Sequence, residues 1–336
     1  MRALPLLAIA LVTPACALVA SHSDAPRPRV RGPIPTRVQQ PNKLTFLAFR
    51  PRSARTEAED AHSLRITSEY SSIFENGDVG DERVVLDGEL WRTSFALTYG
   101  VGPRTDLEVE LPIVYASNGF LDRFVESWHD FFGFPGGGRG ERERFTYEME
   151  IEKDGRSIYH LEGGEPAIGD VPVVLTHAVV DETSSTPAVA VRVGADLPIG
   201  SESKGFGNGA LDWGGGVLAE KSWGRWTMTG AVDYVFTRRP SSFVGSGVDV
   251  EDDLGAQWGL EYRWNDSLSL LGGLIVNAPV TRDFRIKELD RETISADVGL
   301  ALDTGPSSTL IVGFEDDVVA ESGPDFTFFA SWSVGL

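Results

Sequence analysis

Residues 325–336 read Asp-Phe-Thr-Phe-Phe-Ala-Ser-Trp-Ser-Val-Gly-Leu, and this stretch decides the fold. Every second position is apolar and mostly small residues stand between them; the apolar set is Phe326, Phe328, Ala330, Trp332, Val334 and Leu336. Strict alternation is typical of a β-strand whose two faces meet different surroundings. An apolar strand at a sheet edge invites aggregation, and closing the sheet into a barrel removes that edge.

The same alternation recurs from about residue 62 onward. It predicts twelve strands, near residues 62–74, 86–101, 105–115, 169–180, 187–198, 211–221, 225–237, 253–264, 267–277, 292–303, 308–315 and 325–336. Each is close to the length of about ten residues that a tilted strand needs to cross the hydrocarbon layer. The predicted fold class is all-β: an antiparallel transmembrane β-barrel of about 12 strands, in a range of about 10–14, over residues 62–336.

Short and long connections alternate along the chain. Tight turns are predicted at 100–104, 222–225, 264–267 and 303–306, and longer loops at 199–210, 238–252, 278–291 and 316–324. Outer-membrane barrels carry short turns on the periplasmic side and long loops outside. Twelve strands ending in the periplasm place residue 62 on the periplasmic side as well. Residues 43–50 are therefore kept out of the wall, in the lumen or the periplasm.

Residues 1–20 are expected to be a secretory signal peptide. Arg2 precedes an apolar run over residues 4–12, which is too short to span a bilayer as a helix, and small residues follow it. The single cysteine, Cys16, lies in this segment, so a chain cut after it has no thiol and no disulfide. An alternative is a lipoprotein acylated at Cys16, although Thr13 and Pro14 suit such a site poorly.

Residues 21–61 form a Pro/Arg-rich N-terminal segment. Its proline density excludes the interior of a sheet, and it is the one basic stretch of an acidic chain. We expect it to be a periplasmic segment or a luminal plug. Its arginines are predicted to pair with acidic residues of the lumen: Arg27, Arg29, Arg31 and Arg37 with Asp106, Glu108 and Glu110.

The formal net charge of −20 argues against nucleic-acid binding, which needs a basic surface. Acidic outer loops are compatible with the divalent cations bound by lipopolysaccharide. The expected location is the outer membrane of a Gram-negative bacterium. The expected partners are outer membrane lipids and lipopolysaccharide, the barrel-assembly machinery through the C-terminal strand, and an unknown small solute; no cofactor is expected.

Two sets of strand residues indicate the surroundings of the wall. Aromatic residues lie near both ends of several strands, among them Trp91, Tyr99, Trp226 and Trp264, which favours interfacial girdles over the core of a soluble two-sheet sandwich. The opposite faces carry charged residues, which a sandwich would expose to water and a barrel would direct into its lumen: Arg65, Glu69, Arg92, Asp106, Glu108, Glu110, Arg192, Glu261 and Arg263.

One connection, residues 116–168, is much longer than the others and is predicted to be an extracellular insertion. Apolar residues recur every three or four positions over 120–132, which predicts an amphipathic helix ended by Gly133 and Pro135. A β-hairpin that turns at Asp154-Gly155 is predicted after it. The aromatic face and a following arginine are candidate lid or ligand contacts: Phe120, Leu121, Phe124, Trp128, Phe131, Phe132 and Arg139.

A helix this aromatic must dock against something. A lid or constriction in the barrel mouth is the leading prediction; a structural cap packed on loops and insertion into the outer leaflet beside the barrel are the alternatives. The polar face comprises Asp122, Glu126, His129 and Asp130. A shared cation between Glu126 and Asp130 is allowed by their spacing, but such spacing is common on solvated helix faces, so no metal site is predicted.

The insertion also carries a family resemblance. Gly119-Phe120-Leu121-Asp122, Trp128-His129, Phe132-Gly133-Phe134-Pro135 and Gly137-Gly138-Arg139 resemble the bacterial outer-membrane family catalogued as domain of unknown function 3187. Residues 35–41, Leu86-Asp87-Gly88-Glu89 and Ile168-Gly169-Asp170 resemble further landmarks of that family. The resemblance covers most of the mature chain and implies an outer-membrane barrel. It implies no chemistry, because the family has no established activity.

Catalytic motifs are weak in this sequence. His177 lies on a predicted strand without a serine two residues away, as a lipid hydrolase of this kind would require. The glycine-rich run at 205–209 has no helix after it, and the acidic runs at 249–253 and 315–317 lack the spacing of a calcium loop. The leading expectation is a non-enzymatic channel or transporter for a small solute. The alternative is a non-conducting structural or lipid- or partner-binding barrel, and the third is a lipid hydrolase.

Overall fold

The computed structural model describes residues 29–133, 138–318 and 323–336, so the predicted signal peptide lies outside the described residues. These ranges contain one α-helix, α1 (Asp122–Phe132). The strands in the same ranges are β1 (His62–Val79), β2 (Glu82–Gly102), β3 (Thr105–Ser117), β4 (Glu148–Lys153), β5 (Arg156–His160), β6 (Ala167–Ile168), β7 (Val171–Val180), β8 (Ala188–Leu197), β9 (Asp212–Trp223), β10 (Trp226–Phe236), β11 (Asp249–Val250), β12 (Asp253–Arg263), β13 (Leu268–Asn277), β14 (Thr281–Arg282), β15 (Thr293–Gly305), β16 (Ser308–Asp317) and β17 (Phe326–Gly335).

Twelve strands of the described residues form a closed antiparallel wall in the order β1-β2-β3-β7-β8-β9-β10-β12-β13-β15-β16-β17. Pairing of β1 with β17, from Ser63 opposite Gly335 to Ser72 opposite Phe326, closes the circle. The predicted barrel of about 12 strands is confirmed, and each predicted strand has its counterpart in the wall.

The two faces of the wall have opposite polarity. On β1 the Glu69 side chain is buried inside the barrel, where Arg92 of β2 bonds to it, while the next residue, Tyr70, points outward. Outward positions expose large apolar side chains, among them Phe95, Leu97, Val109, Leu111, Val193, Val217, Val232, Trp258, Val298 and Leu300. This is the reverse of a soluble protein and suits a wall surrounded by lipid. The described residues contain no helix long and apolar enough to span a membrane.

The extracellular side is taller than predicted. Residues 75–85, predicted as a loop, instead continue β1 and β2 as a ladder that closes between Val79 and Glu82. The predicted hairpin of the insertion is present as β4 and β5, and β4 pairs with β2 over residues 82–87. The helix begins at Asp122, two residues later than predicted, because the preceding amides are held by a side chain of β2. It ends as predicted, with Gly133 in the left-handed region at φ 75°.

Candidate functional site

Residues 29–58, which we call the luminal segment, lie inside the barrel. Near the periplasmic turn between β15 and β16, Arg29 donates to the carbonyl of Pro306 at 2.8 Å. Arg31 pairs with Asp303 at 2.6 Å, and its backbone amide donates to Glu261. Further along, Ile34 packs against Leu271, Ala301 and Ile311. This first half of the segment therefore ascends from the periplasmic end along β12, β13, β15 and β16.

The luminal segment then turns back. A 3-10 turn at Lys43–Thr45 lies at the extracellular end, where Leu44 packs against the loops. The descending half contacts the other side of the wall: the backbone amide of Leu47 donates to Asp212, and the guanidinium of Arg52 bonds Asp106 at 2.8 Å. The chain reaches β1 with Asp60 bonded to Tyr99 at the periplasmic end. Both ends of the segment therefore lie on the periplasmic side.

The best-connected luminal cluster is formed by Arg50, Glu69, Arg92 and Glu110. Arg50 Nε lies 2.8 Å from Glu110 Oε2, and Arg50 Nη2 lies 3.0 Å from Glu69 Oε2. Arg92 bonds the same two carboxylates, at 2.6 Å to Glu110 and 3.3 Å to Glu69. All four groups are buried. Two cations and two anions thus neutralise one another around the descending half of the luminal segment.

The predicted pairing partners require correction. Arg27 lies outside the described residues. Arg29 and Arg31 contact the β15–β16 end of the barrel, and Arg37 donates through its side chain to the carbonyl of Phe46. The predicted acidic partners are instead bound by other arginines. Arg50 pairs with Glu110 and Arg52 with Asp106, while Glu108 pairs with Arg65 of the wall at 3.0 Å. The reversal at the 3-10 turn explains the exchange, because it brings the second half of the segment to β3.

The structure places all nine predicted luminal residues on the inner face. Six belong to the ion pairs above, and Arg192 binds Asp233 at 2.6 Å while its guanidinium lies over the ring of Phe49. Glu261 accepts the backbone amides of Arg31 and Gly32. Arg263 lies at the periplasmic end of β12 and contacts the carbonyl of Gly224. Their side chains line or bind the luminal segment rather than an open pore.

Part of the luminal charge is less completely matched. Asp297 of β15 is buried and receives one hydrogen bond, from Thr36 at 3.4 Å. Its Oδ1 atom, like the Oδ1 atom of buried Asp196, has no hydrogen-bond donor among the described residues. At Asp297 the described part of the ascending half therefore makes only this one long hydrogen bond to the wall, although Arg31 anchors its periplasmic end to Asp303.

A hydrophobic core closes over the turn of the luminal segment. It joins the β1–β2 ladder, the β4–β5 hairpin and three extracellular loops through Ile73, Leu90, Met149, Ile158, Phe206, Phe243, Phe284 and Leu289. A cavity of about 280 Å³ remains beside it, bounded by the luminal turn below and the loops above, with Asn42, Thr45, Phe46, His160, Glu202 and Phe243 in its lining. We call this core and its loops the extracellular cap.

Helix α1 lies against the outside of the wall. Tyr70, Phe314 and Phe328 are neighbours in register on β1, β16 and β17 and point away from the lumen. Phe124 packs on Phe328 at a centroid distance of 5.5 Å, and Trp128 packs on Phe314 at 5.4 Å. Leu121 and Val125 are buried together with Phe326. The predicted lid position in the barrel mouth is therefore not the position of the aromatic face in this structure.

Glu89 of β2 fixes the start of the helix. It accepts hydrogen bonds from the backbone amides of Phe120 and Leu121 and from the hydroxyl of Tyr70. The first amides of a helix lack partners in the helix itself, so a carboxylate satisfies them well. Gly119 has φ 59°, and a Cβ atom there would meet the Glu89 carboxylate at 1.8 Å. Two segments that carry the family resemblance thus meet at this junction.

The polar face of the helix divides into a buried and an exposed part. Asp122 is buried and bonds Arg139 at 2.6 Å; the same guanidinium bonds Asp325 and lies 5.1 Å from the centroid of the Phe74 ring. Burial raises the pKa of Asp325, and the positive charge of Arg139 opposes that rise. Arg139 thus joins the insertion to the top of β17.

Glu126 and Asp130 of the polar face lie nearer to water than Asp122 does. Glu126 pairs with Arg144 at 2.7 Å, and the hydrogen bond from Arg144 lowers the pKa of Glu126. His129 is buried and Asp130 is exposed. Over the described ranges, no group of three His, Cys, Asp or Glu side chains is arranged to hold a metal ion. His177 faces outward near the periplasmic end and contacts the hydroxyl of Thr105 at 2.9 Å.

Three important residues were not singled out from the sequence. Arg50 ends the segment that parity kept out of the wall, residues 43–50, and Arg52 follows it, so their charge could have marked them as luminal. Glu89 stands on the outward face of β2 with Trp91 and Phe95, and a carboxylate in an apolar face is a signal that a partner covers it.

The closed wall, its reversed polarity and its filled lumen define a transmembrane barrel of the outer-membrane type. The chain belongs to the family described as "Protein of unknown function (DUF3187)", whose sequence profile matches residues 8–336.

A solved outer-membrane channel has a similar fold, and two other solved barrels superpose less closely. The COG4313 outer membrane channel from Pseudomonas putida F1 superposes with a TM-score of 0.55 at 15% identity, covering 85% of this chain and 99% of that one. The NanC porin gives a TM-score of 0.48 at 9% identity, over 81% and 100% of the two chains. Outer membrane phospholipase A from Escherichia coli gives 0.36 at 12% identity, over 88% and 95%. At 15% identity, the likeness to the COG4313 channel concerns the fold alone.

Proposed function

We propose that this protein is an outer-membrane channel for a small solute, in a Gram-negative bacterium, and that the luminal segment is a plug that must move before the solute passes. One observation carries the proposal: arginines of the luminal segment neutralise acidic residues of the wall. In the buried interior, Arg50 binds Glu110 at 2.8 Å and Glu69 at 3.0 Å, and Arg52 binds Asp106 at 2.8 Å.

The plug also balances the charge of the inner wall. The inner wall contributes more acids than bases around the segment: Glu69, Asp106, Glu108, Glu110, Asp233 and Glu261 against Arg65, Arg92 and Arg192. Moving the segment would remove Arg31, Arg50 and Arg52 from this wall and leave an acidic passage. Rings of acidic side chains favour cations in channels. The open state is therefore expected to prefer cations.

The unequal hold on the two halves favours a movable plug over a permanent seal. The descending half is fixed by the four-residue cluster at Arg50. The ascending half passes Asp297, whose buried carboxylate has an incomplete set of hydrogen bonds. A buried polar group without a full set of hydrogen bonds destabilises the arrangement that buries it. We infer that the ascending half moves first.

The second candidate is a non-conducting structural or binding barrel. The observation in its favour is the extracellular cap, which closes an apolar core over the luminal turn. Under the channel proposal, solute enters by the cavity of about 280 Å³ beside that core. Under the second candidate, the cavity is a closed end.

Conductance across a planar bilayer distinguishes the two. We would compare the refolded protein, the Arg50→Ala variant, and a Thr36→Cys/Asp297→Cys variant whose thiols are joined by a reversible bifunctional reagent, all in a Cys16→Ser background. A plugged channel should show cation-preferring steps that become more frequent with Arg50→Ala. The steps should vanish on cross-linking and return on reduction.

Silence of correctly folded Arg50→Ala protein, judged by its heat-modifiable gel mobility, would reject the channel and favour the sealed barrel. Steps that persist unchanged in the cross-linked protein would reject the plug.

A further inference from the structure

We propose that α1 is an interfacial helix whose aromatic face contacts the fatty acyl chains of the outer leaflet. The helix crosses the strands of the wall. Phe120 stacks on Tyr70 of β1 at 5.4 Å, and Trp128, eight positions later, packs on Phe314 of β16 at 5.4 Å. The helix advances about 9 Å over the six residues from Asp122 to Trp128, and two strand spacings amount to about 10 Å. The helix axis therefore runs around the barrel, in the plane of the membrane.

The height of the helix follows from its contacts along β17. That strand descends from Phe326 toward the periplasm, so Phe328 lies nearer the membrane midplane than Phe326. Phe124 contacts both rings, at 5.3 and 5.5 Å, and so points downward along the wall. Asp122 points the other way: its partner Arg139 bonds Asp325 and lies over Phe74, both beyond the aromatic row. One side of the helix thus faces the hydrocarbon and the other faces the extracellular space.

Docking on the wall leaves much of the aromatic face uncovered. Phe131 remains 81% exposed and Phe120 67% exposed. The same uncovered surface continues onto Trp91 and Phe328, which belong to the lipid-facing wall. Apolar patches of this kind are costly in water and are typical of helices that lie in the interface of a membrane. Acyl chains are the occupant that this continuity indicates.

The polar side of α1 fits the same placement. Glu126 and its partner Arg144, Asp130 and the buried Asp122–Arg139 pair lie away from the Phe124 side. On a helix with about 100° between residues, Phe131 and Phe124 share one side, and Glu126 and Asp130 lie on the opposite side and flank. None of the carboxylates of the helix therefore points toward the hydrocarbon.

Two neighbouring positions provide the test, Phe131→Cys and Asp130→Cys, each carrying a nitroxide label in a Cys16→Ser background. The full-length barrel would be refolded into vesicles of phosphatidylethanolamine and phosphatidylglycerol. Collision of the label with oxygen, which concentrates in hydrocarbon, would be compared with collision with a water-soluble nickel chelate by power-saturation electron paramagnetic resonance.

We expect oxygen to dominate at position 131 and the nickel chelate to dominate at position 130. Equal access of the nickel chelate to both positions, in protein whose barrel is folded, would overturn the proposal. The thiol of an unlabelled Val125→Cys variant, which is fully buried when the helix is docked, must stay unreactive toward a thiol reagent in the same vesicles; rapid reaction would show that the helix has left the wall, which also counts against the proposal. The result does not depend on whether the barrel conducts.

Discussion

Arg139 and Arg144 allow a matched test of what holds α1 on the wall. Each arginine pairs with a carboxylate of the helix, but the Arg139 side chain is 6% exposed and that of Arg144 is 50% exposed. Arg139→Ala would leave the buried Asp122 and Asp325 without their shared cation. Removal of one partner from a buried ion pair costs about 3–5 kcal/mol, whereas an exposed pair contributes about 0.2–1 kcal/mol.

Undocking of the helix relieves that penalty, because both carboxylates then reach water. The free energy lost by the docked state should therefore appear as a higher population of the undocked state. At about 1.4 kcal/mol for each factor of ten, Arg139→Ala should raise that population by a factor between about 10² and about 4 × 10³. Arg144→Ala should raise it less than about fivefold by the same conversion.

The thiol of a Val125→Cys variant reports the undocked state, because Val125 has no exposed surface when the helix is docked. Its rate of reaction with a thiol reagent would be measured in lipid vesicles, in a Cys16→Ser background, with and without each arginine substitution. A rate for Arg139→Ala within fivefold of that for Arg144→Ala, in protein whose barrel is folded, would refute this reasoning.

Three further outcomes are expected. Arg50→Ala should lower the free energy of unfolding by about 3 kcal/mol in urea titrations, because it strips a cation from two buried carboxylates, whereas Arg29→Ala at the exposed end should change it by less than about 1 kcal/mol. Gly119→Ala should accelerate the thiol reaction beneath α1 at least about tenfold, since φ is positive there and a Cβ atom would strike the Glu89 carboxylate. Burial raises the pKa of Asp170 to about 6, so its stabilising contribution is full below its ordinary value, near 4, and is lost as the pH rises through about 6; the thermal midpoint should show that decline, and Asp170→Asn should flatten it.

The wall was predictable because each strand carries its own evidence. Alternation such as that of Phe328, Ala330 and Trp332 needs no knowledge of distant residues, since one face must be apolar wherever the strand meets lipid. The ladder above the membrane was not predicted, since glycines 77 and 80 resemble loop residues. In the structure Gly77 belongs to β1, opposite Val84 of β2, and Gly80, with φ 72°, lies in the turn that closes the ladder.

The site was predictable only in kind. Charges at alternate positions predicted a polar lumen, and residues such as Glu110 are indeed inside. Which arginine reaches Glu110 depends on the reversal of the chain at the 3-10 turn. The sequence of residues 43–45 does not predict that reversal. The periodicity of α1 likewise predicted that the helix docks, but it did not identify the surface on which it docks. That partner is a row of rings contributed by strands far apart in the sequence, which no local pattern can reveal.

The position of α1 has a consequence for assembly. The first and last strands of the wall meet at a seam between β1 and β17, and the helix reaches across this seam from Tyr70 on one side to Phe328 and Phe314 on the other. Arg139 repeats the bridge, with Phe74 on one side and Asp325 on the other. The helix cannot make both sets of contacts until β17 has paired with β1. Docking of the helix is therefore expected to follow closure of the barrel.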